Sequence, residues 1–338
     1  MRKLASIQEI TNVKAVENSD FLDVVTVLGW RVVVKRGTFK VGDRCIYFEI
    51  DSILPQIEEF KAVPSIVTNK FILRTARLRG QLSQGLCWGL ELLPEGDYVI
   101  GDDVTELLGV QKYEKLIPVN MEGISAGFFP VEVKSPGEVR IQTEPGLLKE
   151  FKGLRVARTI KYEGTCACYN KIRGEKSVCN HTHKLIEDEK NIYWRMAYKY
   201  KLMEILDKYD NISIQGEIIG PGIYGNPVGA DEVELVIFRV IDLNTSYEYE
   251  PLELIAFCAE NELQCMEMDL DVLFDYNTVE EVLDSAKLTY SKSGFPVEGV
   301  VYVPMKRVYS EILCHWLRMK VINNEYLLGE WKKKRRGK

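Results

Sequence analysis

Residues 159–169 read TIKYEGTCACY, and two chemistries are written into that run. Lys161 interrupts an apolar, strand-like stretch, Glu163 follows two residues later, and Gly164 comes next. A lysine in a strand ordinarily carries its ammonium out to solvent on a long stem. To act as a nucleophile it needs burial or nearby positive charge, which lower the pKa and free the neutral amine. In that reading Glu163 offers a carboxylate to a metal and Gly164 leaves room for a nucleotide. The second chemistry is metal ligation by Cys166, Cys168, Cys179, His181 and His183, a C-x-C…C-x-H-x-H run. These ligand types suit zinc, but the spacing matches none of the common zinc frameworks. In a strand Cys166 and Cys168 share one face, as small packed side chains do.

More candidates follow in chain order. QGEIIG carries Glu217, VIFRVID carries Phe238 within a strand, VEGVVY sets Glu298 at the head of an apolar strand, and LRMKVIN alternates Arg318 and Lys320 on one strand face. Together with K-x-E-G this order resembles the covalent nucleotidyltransferase superfamily of polynucleotide ligases and capping enzymes, whose motifs are K-x-D/E/N-G, a strand glutamate, an aromatic, E-G-V-V and a paired-lysine strand. Within it, LRGQLSQGL, the 42–55 stretch GDRCIYFEIDSILP, EVRIQ, GPGIYGNP and KVINNEYLL are similar to the family-five ATP-dependent RNA ligases. Little chain follows Lys320, so the C-terminal OB domain of DNA ligases and capping enzymes is not expected, and the OB-like segment lies upstream.

The resemblance implies a fold of the α+β class: an N-terminal OB-like β-barrel, then an antiparallel-sheet-rich nucleotidyltransferase (ATP-grasp-like ligase) domain. It implies ATP-dependent joining of a 3′-OH to a 5′-phosphate through a lysyl-AMP on Lys161 and an RNA-adenylate, with Mg²⁺ or Mn²⁺. Arg318 and Lys320 would hold the α-phosphate and Arg140 the outer phosphates. Glu163, Glu298 and Glu217 would orient the metal or its waters, Glu217 equally the ribose. Phe238 would stack on adenine. Ile160 and His181 complete the implied nucleotide-binding set, and Lys161, Glu298, Arg318 and Lys320 the catalytic one. The implied partner is RNA, as a nicked or broken duplex or an RNA/DNA hybrid, with the protein a monomer.

Two departures stand out. Ligases of this kind carry an arginine about twenty residues after the nucleophile. Here the run is Val178, Cys179, Asn180, His181, Thr182, so His181 is the nearest counterpart, with Arg173 a substitute from the preceding loop. A neutral imidazole is a poorer phosphate ligand than a guanidinium, which points to intact self-adenylylation and altered end-joining. The paired-lysine motif also has arginine in its first place. Two other readings share parts of this evidence. A DNA-nick ligase or other covalent nucleotidyltransferase would share Lys161 and differ in the acceptor, whereas a non-catalytic OB nucleic-acid-binding protein would have no use for Lys161, Glu298 and Lys320 together.

The elements that must position these residues are legible in outline. Short alternating or apolar runs at 21–27, 30–35, 44–50, 70–78 and 85–93 predict a small β-barrel over residues 1–110. Residues 111–137 lack a sustained period and read as connector. From 138 to 338 strand-like runs (138–142, 154–172, 212–220, 234–243, 299–304) mix with helical spacing at 184–209, 251–263 and 278–288, with Asn277 or Thr278 as a cap of the last. Composition agrees with a soluble globular chain: 338 residues, 46% hydrophobic and 28% charged. No apolar run is long enough for a membrane span, and the N-terminus lacks a signal peptide's apolar segment. Eight scattered cysteines indicate a reducing cytoplasmic or nuclear setting rather than a disulfide framework. The net charge of −6 confines any nucleic-acid contact to a local patch. The basic run at 331–338 is either a solvated terminus or a phosphate-binding tail.

Overall fold

The computed structural model describes residues 2–61, 67–68, 70–114 and 121–329; the basic run at 331–338 lies outside them. The chain divides into two units, one of residues 1–115 with 142–145, the other of 116–141 with 146–338.

The first unit is built on one long strand that the sequence reading did not isolate. β1 (Ala5–Ala15) pairs through residues 5–9 with β4 (Arg44–Phe48) and, past a bulge between Ile10 and Asn12, with β2 (Leu22–Val27). Because side chains alternate along a strand, the bulge lets β1 turn from one half of the barrel into the other. β3 (Trp30–Lys35) and β5 (Leu86–Trp88) complete the order β3-β2-β1-β4-β5. The two outer edges meet where the Gln84 amide donates to the Arg31 carbonyl at 2.8 Å and the Val33 amide to Ser83 Oγ at 3.0 Å. The barrel is thus nearly closed around Ile7, Ile46, Phe48, Phe60 and Leu86. The expected strand at 70–78 shrinks to residues 76–78, and that at 85–93 ends in a single 3₁₀ turn (Leu90–Leu92). Both segments still pack apolar side chains on the barrel core, Leu73 among them, without forming longer ladders.

The second unit holds two antiparallel-rich sheets. Residues 125–128, read as connector from sequence, form the edge strand β6 (Ser125–Phe128). The run 154–172 splits into β7 (Arg155–Lys161) and β8 (Thr165–Ile172), which enter different sheets. The larger sheet adds β9 (Glu175–Cys179), β10 (His183–Leu185), β11 (Ile212–Ile219), β12 (Glu234–Asp242) and β13 (Tyr247–Glu248) in the order β6-β10-β9-β8-β11-β12-β13, with β14 (Gln264–Cys265) parallel to β12. The smaller sheet sets β7 between β15 (Met268–Leu273) and β16 (Gly299–Pro304), with β17 (Met319–Ile322) outside β16. EVRIQ forms no strand of its own; its Arg140 bridges β17 at Lys320.

Helices cover one face of the larger sheet. The predicted helix at 184–209 is two: α1 (Ile192–Lys199), capped by the Asn191 side chain, and α2 (Leu202–Asp207), separated by Lys201 in the left-handed region. With α3 (Pro251–Glu260) they bury Tyr169, Ile214, Ile237 and Phe257. The smaller sheet packs Val156, Val300, Tyr302 and Val321 against α4 (Val279–Ser285), capped by Thr278, and against Phe151 and Phe274.

Gly299 is fixed by crowding rather than by backbone conformation. A Cβ there would lie 2.2 Å from the Val321 carbonyl oxygen, so any side chain drives β17 away from β16. Gly299→Ala should destabilise the protein by about 1–3 kcal/mol, the usual range for an overpacked site, read as a lower urea midpoint with an unchanged slope.

Candidate active site

Lys161 ends β7 directly opposite Gly299, and Glu298 precedes that glycine. Strand pairing therefore delivers the two charges to each other: Lys161 Nζ donates to Glu298 Oε2 at 2.7 Å. Both side chains are about three-quarters buried. Burial opposes the ammonium charge, but the carboxylates of Glu298 and Glu217 outweigh it and hold the amine above its ordinary value, against a smaller opposing push from Arg140. The sequence expectation of a depressed lysine pKa is thus reversed: with its carboxylates in place Lys161 is a paired ammonium.

Glu217 comes from the other sheet. β11 pairs with β8 so that Glu217 faces Cys166, one step from the turn that follows Lys161. At that turn a Cβ on Gly164 would sit 2.4 Å from the Ile218 carbonyl and 2.7 Å from Glu217 Cγ. Gly164 is thus required by the approach of β11, and its amide donates to the Glu217 carboxylate. Burial raises the Glu217 pKa to about 7, with Lys161 opposing and Glu298 adding to the rise. Glu163 is buried where the chain leaves β7.

On the far side of β16, Lys320 lies opposite Val301, which itself lies opposite Thr159. Lys320 therefore shares the sheet face of Thr159 and Lys161, and Arg140 joins it through the bridge to β17, with the Lys320 amide donating to Val139 O at 2.8 Å. Phe238 owes its position to an irregularity. The register of β11 and β12 steps from Gln215 opposite Arg239 to Gly216 opposite Ile237, leaving Phe238 as the extra residue of a bulge. Its half-buried ring packs, as Ile160 does, against a cluster of Tyr162, Tyr290, Val236 and Val297, in which the two tyrosines stack 5.9 Å apart. The fold thus gathers Ile160, Lys161, Glu298, Glu217, Arg140, Lys320 and Phe238 around the junction of the two sheets.

A largely buried lysine, carboxylates and two further cations on paired antiparallel sheets suit phosphoryl chemistry, and the comparisons with known proteins agree. An RNA ligase family model matches residues 154–321, and an OB-fold domain model matches residues 4–90. The chain belongs to the RNA ligases, with an OB-fold domain ahead of the ligase domain. Solved structures of the Naegleria gruberi RNA ligase match along almost the entire length. The one with PPi gives a TM-score of 0.88 at 28% identity and covers 98% of this chain and 100% of that one. A mutant with AMP and Mn gives 0.88, 28%, 98% and 99%, and a mutant with ATP and Mn gives 0.87, 28%, 97% and 99%. No curated protein matches the chain.

Three sequence candidates of the ligase fall elsewhere. Arg318 is buried in an ion network: its Nε lies 3.0 Å from Glu138, and its Nη1 donates to Glu248 at 3.1 Å. That guanidinium is committed to protein carboxylates rather than presented to a phosphate. His181 is exposed in the turn between β9 and β10, held by Asn180 Oδ1, which accepts from the amides of Thr182 and His183. The turn lies at the Glu217 end of the sheet. Arg173 sits in the turn between β8 and β9, at the opposite end of that hairpin, which removes it as a substitute. The cysteines do not build a metal site: no group of three or more ligand side chains among the described residues could hold an ion. Cys168 and Cys179 are buried opposite each other, and burial pushes the Cys179 thiol up to about 12.

The sequence reading passed over Arg239, Glu138, Glu248 and Gln215, which join Arg318 in the buried network. The signal was available: an arginine inside the apolar run VIFRVID is as conspicuous as a lysine inside TIKYEG.

A hard divalent cation fits the carboxylate oxygens of Glu298 and Glu217. Magnesium takes one or two protein carboxylates and fills its shell with water and phosphate, so it needs no cage of three side chains.

The raised Glu217 pKa makes stability pH-dependent. The folded state keeps a proton that the unfolded chain has released above 4.5, so stability falls as pH rises from 4.5 toward about 7 and stays low above it. Thermal melts of Glu217→Gln across that range should lose this slope and exceed wild type above neutrality.

Proposed function

We propose that the ligase works through a lysyl-adenylate on Lys161, and the observation that carries this is the Lys161–Glu298 contact at 2.7 Å with Glu217 behind it. The enzyme is ATP-dependent. The Lys161 amine gives up its proton toward Glu298 and attacks the α-phosphorus of ATP. A phosphoramidate bond forms, the bond to the bridging oxygen breaks, and pyrophosphate leaves. AMP then passes to an RNA 5′-phosphate, and a 3′-OH displaces it to form the phosphodiester. Glu298 and Glu217, with Glu163, would hold a divalent cation, whose charge would weaken the carboxylates' hold on the ammonium and offset the triphosphate.

Lys320 and Arg140, on the same face as Lys161, stabilise negative charge on the phosphates, and Phe238 with Ile160 bounds the adenine. This division follows from what phosphoryl transfer needs, which is positioning and charge rather than further covalent chemistry. We place Arg318 behind Lys320 rather than on the phosphate. RNA is the partner class, and we take the acceptor to be a nick in a duplex whose 3′-OH strand is RNA, with the OB unit reading shape and 2′-OH groups. We take the acting unit to be a monomer. Cysteines inside apolar strands favour a reducing, intracellular compartment.

Incubation with α-labelled ATP and Mg²⁺ should give a denaturation-resistant adduct that Lys161→Ala abolishes; no adduct with any nucleotide would sink the proposal. We assign His181, in the exposed turn at the Glu217 end of the sheet, to the steps after adenylylation. His181→Ala should form the adduct normally yet seal pre-adenylylated RNA about tenfold more slowly, the loss of roughly one hydrogen bond to a charged group. Sealing at the wild-type rate would remove that role.

A further inference from the structure

Phe238 and Arg239 are consecutive, yet both turn toward the junction of the sheets. In a regular strand neighbours point to opposite faces. The bulge breaks that rule, because Phe238 is the unpaired extra residue while Arg239 keeps the register position opposite Gln215. Bulges re-aim side chains in this way and recur beside active sites. They also lose ladder hydrogen bonds and need something else to hold them.

Arg239 supplies that hold. Its side chain is 1% exposed, ion-paired with Glu138, 3.5 Å from Glu248, and its Nη1 donates to Gln215 Oε1 at 3.3 Å. Gln215 Nε2 in turn donates to the Lys134 carbonyl at 2.9 Å, and Lys134 Nζ lies 3.4 Å from Glu248. Arg318 closes the network on the same two carboxylates. Burial works against the charge on Glu138 and Glu248, but the two guanidiniums overcome it and hold Glu248 down at about 2.

The places where these residues leave the backbone give the network its meaning. Glu138 stands two residues before Arg140, Arg318 two before Lys320, and Arg239 one after Phe238. One buried network therefore ties together the three segments that present the phosphate and adenine contacts, and it spans both sheets. An ion network that served stability alone would be a poor choice, since a buried pair is often no better than packed apolar residues. What charge pairs with forked geometry offer instead is a single permitted arrangement.

We infer that Arg239, with Glu138, Glu248 and Arg318, is a positioning residue for nucleotide binding: it pins the bulge that presents Phe238 and registers it against Arg140 and Lys320. This rests on Phe238 stacking on the adenine of ATP.

The test is a coupling measurement on the full chain, read as the ATP concentration giving half-maximal rate of lysyl-adenylate formation. Phe238→Ala should raise that concentration about tenfold, equivalent to about 1.4 kcal/mol and within the range of one base–aromatic stack. Arg239→Met combined with Glu248→Gln removes one charge of each sign and leaves the Arg318–Glu138 pair intact. It should raise half-saturating ATP to a similar degree, and adding Phe238→Ala to it should raise it little further. Loss of folded protein would lower the amount of adduct without moving half-saturation. Should that pair of changes fail to fold, Arg239→Lys keeps the charge, loses the fork, and should show a smaller rise with the same coupling to Phe238→Ala. If Phe238→Ala leaves half-saturation unchanged, the stacking reading falls. If Phe238→Ala raises it but the network variants do not, or their effects simply multiply, the positioning role of Arg239 falls alone.

Discussion

The pairing of Lys161 with Glu298 is the interaction on which the site is built. A lysine can stay in the interior only if its charge is answered, and β7 lying antiparallel to β16 answers it by placing Gly299 opposite Lys161 and Glu298 one residue before. The same answer makes the resting amine a poor nucleophile, because two carboxylates raise its pKa. Stability of the apo site and reactivity therefore pull in opposite directions. A ligand set that brings its own positive charge to Glu298 and Glu217 reconciles them. Burial raises Glu217 to about 7, so a small change in surroundings changes its charge.

Close backbone approaches make this geometry rigid. Gly164 lets β11 lie against the turn after Lys161, and Gly299 lets β17 lie against β16. These approaches bring a carboxylate and a cation, respectively, toward Lys161. The glycines of K-x-E-G and E-G-V-V are thus both fixed by sheet packing. Between the sheets, a network of two arginines, two glutamates and a lysine fills space that apolar side chains could have filled. Removing either glutamate would leave buried arginine charge unpaired, at a cost of about 3–5 kcal/mol. The arrangement therefore tolerates little drift.

Much of this was legible beforehand because it depends on local pattern. Strand runs such as WRVVVK and GVVYVP appear where alternation and β-branched residues put them. The Thr278 cap follows from side-chain chemistry alone. Failures came where tertiary partners decide. β1 reads weakly because it changes partners midway and so changes which residues are buried. The 184–209 helix breaks at Lys201 although its apolar spacing continues. The connector acquired β6 by pairing with β10, which no local signal announces.

By itself the sequence determined the chemical class. A lysine, the carboxylates and a second lysine stand in an order that resembles the covalent nucleotidyltransferases, and that resemblance implies phosphoryl transfer. It could not determine the protonation state of Lys161, because that depends on Glu298 and Glu217, which lie far along the chain. Nor could it separate Lys320 from Arg318: they stand two residues apart in one segment, and only the packing of Glu138 and Glu248 commits the arginine to a network while the lysine keeps to the face of Lys161. Electrostatics acts through distance in space, and distances between segments remote in sequence exist only once the sheets have formed.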